Sequence, residues 1–306
     1  MEGRDILSIN DLSVKEASSL LMLAEDVKRN PKTYGTALAG EVMVLIFEKP
    51  SLRTRVTFET GMASLGGTGI YLAPDQVRMG EREPVRDVAK NLERWVQVIV
   101  ARTFEHKTLE ELALHGKTPV INALSDLEHP CQALADLLTI REHFESEKVT
   151  VSYVGDGNNV CHSLMLLGTM LGYEIHVASP VGYEPHADII EQSQKYAVDS
   201  GGKLVLGSDP KELTRGAHVL YTDVWTSMGQ EDEQRERLQA FEGFQVGSEL
   251  LSLADPEAIV MHCLPAHRGE EISSEVVDGP RSVVFDQAEN RLHAQKSLLL
   301  RILGGA

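Results

Sequence analysis

Basic residues are scarce in this chain. Its 29 lysines and arginines stand against 46 aspartates and glutamates, a formal net charge of −17 at pH 7. So acidic a surface argues against nucleic acid and anionic membranes as partners. It also means that an anionic ligand needs basic groups gathered locally. Cysteine is scarcer still: Cys131, Cys161 and Cys263 are odd in number, widely spaced and form no C-x-x-C pair. That argues against a disulfide framework or a structural zinc site and fits a reducing, cytoplasmic compartment. The 11 histidines show no metal-binding spacing, so neither a metal nor a cofactor is expected. No apolar run approaches the roughly 18 residues of a membrane span. The polar start Met1-Glu2-Gly3-Arg4-Asp5 leads us to expect no signal peptide. Internal repeats, low-complexity tracts and Pro/Ser-rich linkers are also missing.

What remains is an ordinary globular composition, 42% hydrophobic and 25% charged, in 306 residues. That length suggests about two domains, each able to bury a core. Ser13-x-x-Glu16 has the form of a capping box, predicting a helix that runs to about Arg29, before Asn30-Pro31. Short apolar, β-branched runs predict strands at 42–47, 69–72, 96–101, 119–123, 150–154, 174–178, 203–206, 218–222, 258–262 and 282–285. Helical stretches separate many of them, and such alternation implies parallel sheets with right-handed crossovers. The charged run from Arg141 to Lys148 marks a boundary. The expected fold class is α/β, with two doubly wound parallel-sheet domains of similar size, 1–140 and 141–286. A C-terminal helix, within 287–306, is expected to pack back on the first.

In open α/β sheets ligands bind beyond the carboxyl ends of the strands, and here most strands end in polar residues. The first ends in Ser51-Leu52-Arg53-Thr54-Arg55, read as a tight loop opening a helix. Free backbone N–H groups and the helix dipole favour an anion there, and guanidinium groups add bidentate donors for phosphate. A compact dianion such as an acyl phosphate suits it; a capped helix with solvated arginines is the alternative. Other strands lead to Arg102-Thr103, to His129-Pro130-Cys131-Gln132, to Asp156-Gly157-Asn158, to Asp223 and to His262-Cys263-Leu264-Pro265. Six such endings in two domains suggest a cleft lined from both sides. Taken singly, each has a plainer reading. Arg102 could be a surface arginine, His129-Pro130 a helix start, Gln132 a solvated side chain and Cys263 a buried structural thiol. Val154-Gly155-Asp156-Gly157-Asn158-Asn159-Val160 is not read as a dinucleotide fingerprint. Val160 stands where the third glycine belongs, and the strand 174–178 ends in Ser179-Pro180 rather than an acidic residue.

Four of these segments together carry a family resemblance. Ser51-Leu52-Arg53-Thr54-Arg55 resembles the S-T-R-T-R phosphate loop of the carbamoyltransferases, and His129-Pro130-Cys131-Gln132 resembles their H-P-x-Q. Asp223-x-x-x-Ser227-Met228-Gly229 and His262-Cys263-Leu264-Pro265 resemble two motifs of the ornithine branch. The order and spacing match over nearly the whole chain. The resemblance implies transfer of the carbamoyl group of carbamoyl phosphate to the δ-amine of L-ornithine, giving L-citrulline and phosphate in arginine metabolism. It implies that Ser51, Leu52, Arg53 and Thr54 hold the phosphate, while Arg102, His129, Gln132 and Arg291 surround the carbamoyl group together with Cys263 and Leu264. Ornithine would fall to Asn158, Asp223, Ser227 and Met228, with Cys263 as a positioning group rather than a covalent nucleophile. Arg102, His129, Cys263 and Arg291 are thus the candidate catalytic residues. A homotrimer, or a multiple of one, is implied as well.

Departures from the family pattern are Leu52, where Thr is commoner, and Arg78, where many relatives have Gln; Arg78 could add a phosphate contact. The acidic stretch 229–236 is expected to be a mobile loop that closes on ornithine. Rival readings are another acceptor (aspartate, putrescine or N-acetylornithine), a nucleotide-binding oxidoreductase, and a silent relative that only binds carbamoyl phosphate. Putrescine and N-acetylornithine each lack a group that Asp223 would bind.

Overall fold

A computed structural model of the chain describes residues 1–77, 79–80, 82–144, 148–227, 229 and 231–306. It divides into two compact units, Met1–Leu138 with Glu289–Ala306, and Thr139–Ala288.

The first unit is built on β1 (Val42–Phe47), β2 (Thr68–Leu72), β3 (Val98–Arg102) and β4 (Val120–Leu124). Among the described residues they form a parallel sheet in the order β2-β1-β3-β4. β1 and β3 are central, buried on both faces, and so read as unbroken apolar runs. Val44, Ile46, Ile99 and Ala101 pack with Val85, Val88 and Leu92 of one helix and Leu109 and Leu112 of another. The register between β3 and β4 slips at the end: Ala101 faces Asn122, but Arg102 faces Leu124. Such an irregularity re-aims the side chain beside it, and here that side chain is Arg102. The N-terminal helix Val14–Arg29 opens with the expected capping box, Ser13 and Glu16 each satisfying the other's backbone N–H.

The second unit carries β5 (Thr150–Val154), β6 (Glu174–Ala178), β7 (Lys203–Gly207), β8 (Val219–Thr222) and β9 (Ile259–His262). These are again parallel, in the order β7-β6-β5-β8-β9. In each sheet the strand order reverses once, between β1 and β3 and between β5 and β8. Those reversals are the topological switch points at which open α/β sheets bind ligands.

The strand expected at 282–285 does not form. Ser282 makes one isolated bridge to Val260, and the helix Val284–Ile302 begins two residues later. The β-branched pair Val283-Val284 has strand propensity, but Val284 packs into the core of the second unit as the start of that long helix. Packing overrides propensity. The stretch expected as a polar loop is helical from Glu231–Glu233, continuing as Gln234–Ala240. No helix among the described residues is long and apolar enough to cross a membrane.

Candidate functional site

In the first unit the site is assembled at the ends of β1, β3 and β4. Ser51 is the N-cap of the helix Leu52–Ser64, its hydroxyl accepting from Thr54 N at 3.3 Å. The two arginines of the pentapeptide part company. Arg55 pairs with Glu59 at 3.1 Å and lies 3.7 Å from the centre of the Tyr71 ring. Half-buried Arg53 makes no side-chain hydrogen bond or ion pair among the described residues, so it stands ready for an anion at the helix N-terminus. Leu52 is exposed.

His129 is positioned by a network that reaches back to the N-terminus. Ser125 Oγ accepts from Leu127 N and Glu128 N, Asn122 donates to Leu7 O at 2.8 Å, and buried Glu128 accepts from Ile9 N and Ser8 Oγ. Pro130 then starts the helix Pro130–His143. His129 is buried, and burial pushes its pKa well below the usual histidine value; the charges of Arg291, Arg102 and Arg53 push the same way. The imidazole is therefore neutral at pH 7, able to donate one N–H and accept on the other nitrogen.

Arg291 comes from the long C-terminal helix. It donates to Thr54 Oγ1 at 2.9 Å and to Gln132 Oε1, while Gln132 Nε2 donates to buried Asp136 at 2.8 Å. Three guanidinium groups thus act on one neutral imidazole in a protein of net charge −17. Cys131, inside the same motif, points elsewhere. Its thiol donates to Asn122 O, and burial pushes its pKa up to about 12.

In the second unit the site lies at the ends of β5, β8 and β9. Asn158 caps the helix Asn159–Met170, its Oδ1 accepting from Val160 N and Cys161 N. Its Nδ2 donates to Asp223 Oδ2 at 2.8 Å, and Cys263 Sγ donates to Asp223 Oδ1 at 2.9 Å. Both oxygens of this buried carboxylate are thus held by neutral donors. Gly157 is required by packing: a Cβ there would lie 2.2 Å from Pro185 N. That accounts for the second glycine of the segment without any dinucleotide. Leu264 adopts φ 60°, a costly conformation for a non-glycine residue. His262 pins it, accepting from Leu264 N on Nδ1 at 2.9 Å and donating from Nε2 to Glu271 at 3.0 Å.

Asp156 and Arg237, residues given no role from sequence, form a buried pair at 3.0 Å. Arg237 also donates to Trp225 O and Glu233, each at 3.0 Å, and lies 5.0 Å from the Tyr183 ring centre. The pair ties the helix Gln234–Ala240 and the segment after Asp223 to the end of β5. Burial pushes Asp156 up to about 6 despite the guanidinium beside it. The polar strand end was the visible signal; Arg237, 81 residues away, gave none.

Of the residues singled out from sequence, the first unit gathers Thr54, His129, Gln132 and Arg291, with Arg53 and Arg102 close enough to act on His129. Ser51 and Leu52 open the adjoining helix. The second unit gathers Asn158, Asp223 and Cys263, with Leu264 following and Ser227 half-buried four residues beyond Asp223. Arg78 and Met228 lie outside the described residues. Among the described residues two triads with metal-ligand geometry also occur, Asp223/His262/Cys263 and His267/Glu270/Glu271. Linear spacing hid the first, whose members come from two strand ends. In it both ring nitrogens of His262 are already engaged.

Residues 4–142 match the profile described as "Aspartate/ornithine carbamoyltransferase, carbamoyl-P binding domain", and residues 147–302 match its "Asp/Orn binding domain". The chain belongs to the aspartate/ornithine carbamoyltransferase family. Within that family it is 52% identical to an ornithine carbamoyltransferase of Synechocystis, over 99% of this chain and 98% of the relative. It is 54% identical to one of Thermus thermophilus, over 98% and 97%. Its structure resembles that of ornithine carbamoyltransferase from Pyrococcus furiosus with a TM-score of 0.96 at 48% identity, covering 100% of this chain and 98% of that one.

Proposed function

We propose that the chain transfers the carbamoyl group of carbamoyl phosphate to the δ-amine of L-ornithine, forming L-citrulline and phosphate. The observation that carries this reading is the set Arg53, Arg102 and Arg291 acting on a neutral His129 beside a capped helix N-terminus. The names of the relatives agree with it.

In this reading the first unit takes carbamoyl phosphate. The phosphate lies on Ser51, Arg53, Thr54 and the amides that open the helix, including that of Leu52. Arg102, His129 and Arg291 direct donors at the carbamoyl oxygen, where charge builds as the amine adds to the carbonyl carbon. Stabilising that oxyanion with fixed donors is usually the largest catalytic term. A neutral imidazole serves as donor without changing protonation. Gln132, tied to Asp136, orients the group. The bond from carbon to phosphate oxygen then breaks, and neutralising the leaving phosphate takes the place of a protein nucleophile.

The second unit takes ornithine. Asp223 binds the α-ammonium, and Asn158, Ser227 and Met228 serve the α-carboxylate end. Cys263 and Leu264, held by His262, position the reacting group. The δ-amine must be neutral to attack, and at a lysine-like pKa near 10.4 only about one in a few thousand is neutral at pH 7. Nearby guanidinium charge lowers that pKa. Arg78 would add a phosphate contact.

The same reading places the enzyme in the cytoplasm, in arginine biosynthesis, as a homotrimer or a multiple of one. Exposed Leu52 and Val56, one turn apart, and Ile70 on edge strand β2 offer apolar surface to a second copy. Light scattering tests the trimer. The decisive experiment is a citrulline colour assay with carbamoyl phosphate and L-ornithine, with aspartate, putrescine and N-acetylornithine in parallel. Turnover with ornithine alone is expected. Turnover with another amine would overturn the acceptor, and folded protein that binds carbamoyl phosphate without any turnover would overturn the activity.

A further inference from the structure

Beyond Cys263 the chain makes a tight turn that the reaction does not use. Glu270 N donates to His267 O and Gly269 N to Ile272 O, each at 2.9 Å. The turn is pinned from outside. Gln245 Nε2 donates to the carbonyls of Gly269 and Glu270, each at 2.8 Å, and Arg268 forms a two-pronged pair with Asp278 at 3.0 and 2.7 Å. As a result, one ligand atom from each of His267, Glu270 and Glu271 falls within 4.8 Å of the other two. His267 Nδ1 lies 3.8 Å from Glu270 Oε2 and 3.9 Å from Glu271 Oε2.

Glu271 is fully buried and its two oxygens differ. Oε1 accepts from the amide of His267 at 2.5 Å and from His262 Nε2 at 3.0 Å. Oε2 is buried and accepts no hydrogen bond. A carboxylate oxygen is costly to leave so. Arg268 is turned away to Asp278. Among the described residues, the basic groups within 4.0 Å of Glu270 or Glu271 are the histidines alone.

We propose that His267 Nδ1, Glu270 and Glu271 Oε2 bind a divalent first-row transition cation. One imidazole and two carboxylates suit Zn²⁺, Co²⁺ or Mn²⁺ better than the all-oxygen shell that Mg²⁺ and Ca²⁺ prefer. Three protein ligands leave the remaining positions to water. Ligand bonds of about 2.1 Å set donor atoms about 3.4 Å apart in a tetrahedral site. His267 Nδ1 is 3.8 and 3.9 Å from the two carboxylates and the carboxylate oxygens lie within 4.8 Å of each other, so the site closes by rotation of His267 and Glu270, whose side chains are 46% and 31% exposed. The third ligand is already fixed, because the other oxygen of Glu271 is bound to His262 and to the turn's own backbone. Through that oxygen the cation restrains His262, and with it the strand end that carries Cys263.

The test uses the full-length chain stripped with chelator, and Zn²⁺ and Co²⁺ as probes. Cys263→Ser removes the thiol of the other triad, so the remaining uptake reports this one. The Cys263→Ser protein is expected to bind one equivalent of Zn²⁺ in calorimetry and to give Co²⁺ visible bands without a thiolate charge-transfer band. Adding His267→Ala or Glu270→Gln, both at the surface, should weaken that binding by about tenfold or more. The proposal is overturned if the Cys263→Ser protein shows no saturable Zn²⁺ uptake, or if both added substitutions leave the uptake unchanged.

Discussion

In the first unit three guanidinium groups act on a buried imidazole; in the second a buried carboxylate is gripped by an amide and a thiol. The charges are opposite, but the means of holding them is shared. Arg291 is oriented by the hydroxyl of Thr54 and the amide oxygen of Gln132, and Asp223 by Asn158 and Cys263. Neutral partners fix a charged group in place without cancelling its field. Where the molecule pairs opposite charges in the interior, as with Asp156 and Arg237, the pair fastens one segment to another. A charge held by neutral groups is available to a ligand, and a charge paired with its opposite is spent on structure.

The sharpest way to break this comparison is to remove charge from the first unit. Arg102→Ala should lower kcat about a thousandfold, about 4 kcal/mol of oxyanion stabilisation. Steady-state kinetics on protein with an unchanged circular dichroism spectrum would show it, and a loss under tenfold would remove Arg102 from the chemistry. Next comes Asp223→Asn, which keeps the shape and deletes the charge. The ornithine KM should rise about a hundredfold, about 2.7 kcal/mol, with the carbamoyl phosphate KM within about twofold. Equal damage to both constants would mean the units do not divide the substrates.

The Asp156–Arg237 fastening offers a smaller, pH-dependent effect. With the Asp156 pKa near 6 in the folded chain against an ordinary 3.8, the pair is charged only above about pH 6. Ornithine affinity should therefore fall about tenfold between pH 7 and pH 5 in the native chain. Asp156→Asn should abolish that pH step. The stability sign is the reverse of a favourable ion pair. Between about 3.8 and 6 the folded state binds the extra proton, so this group's contribution to stability is lost as pH rises through 6.

The smallest effects are absences. Because the His129 pKa is depressed, the unfolded chain takes up a proton below about pH 6.5 that the folded chain refuses at that histidine. Stability falls there as pH drops, and kcat should show no His129 step near 6.5. A thiol reagent should modify half-buried Cys263 and leave Cys131 intact, since the Cys131 thiol is buried with its pKa near 12. Mass spectrometry of the labelled peptides would reveal any contrary order.

Much of the layout was legible from local pattern. Nine of the expected strands form within two residues of their predicted limits, the central ones because strands buried on both faces must be apolar and short. The tenth, at 282–285, had the same composition and became a helix start, since nothing in four residues reveals the helix that follows. The strand ends bearing Arg102 and Asp223 were visible as polar stops after apolar runs. Their geometry was not, because the slip in register that re-aims Arg102 depends on the neighbouring strand. The turn at 267–271 gave no such signal, because the burial of Glu271 is set by the packing around it.

By itself the sequence determined the alternation of strand and helix, the caps at Ser13 and Ser51, and which chemical groups stand at the strand ends. These follow from neighbours a few residues apart. Only the tertiary structure decided that Arg53 is available while Arg55 is spent on Glu59 and Tyr71. It alone decided that Arg291 meets Thr54 across 237 positions and Asn158 meets Asp223 across 65. Such pairings are set by how sheets order their strands and how a distant helix packs, and short-range preferences carry no record of either.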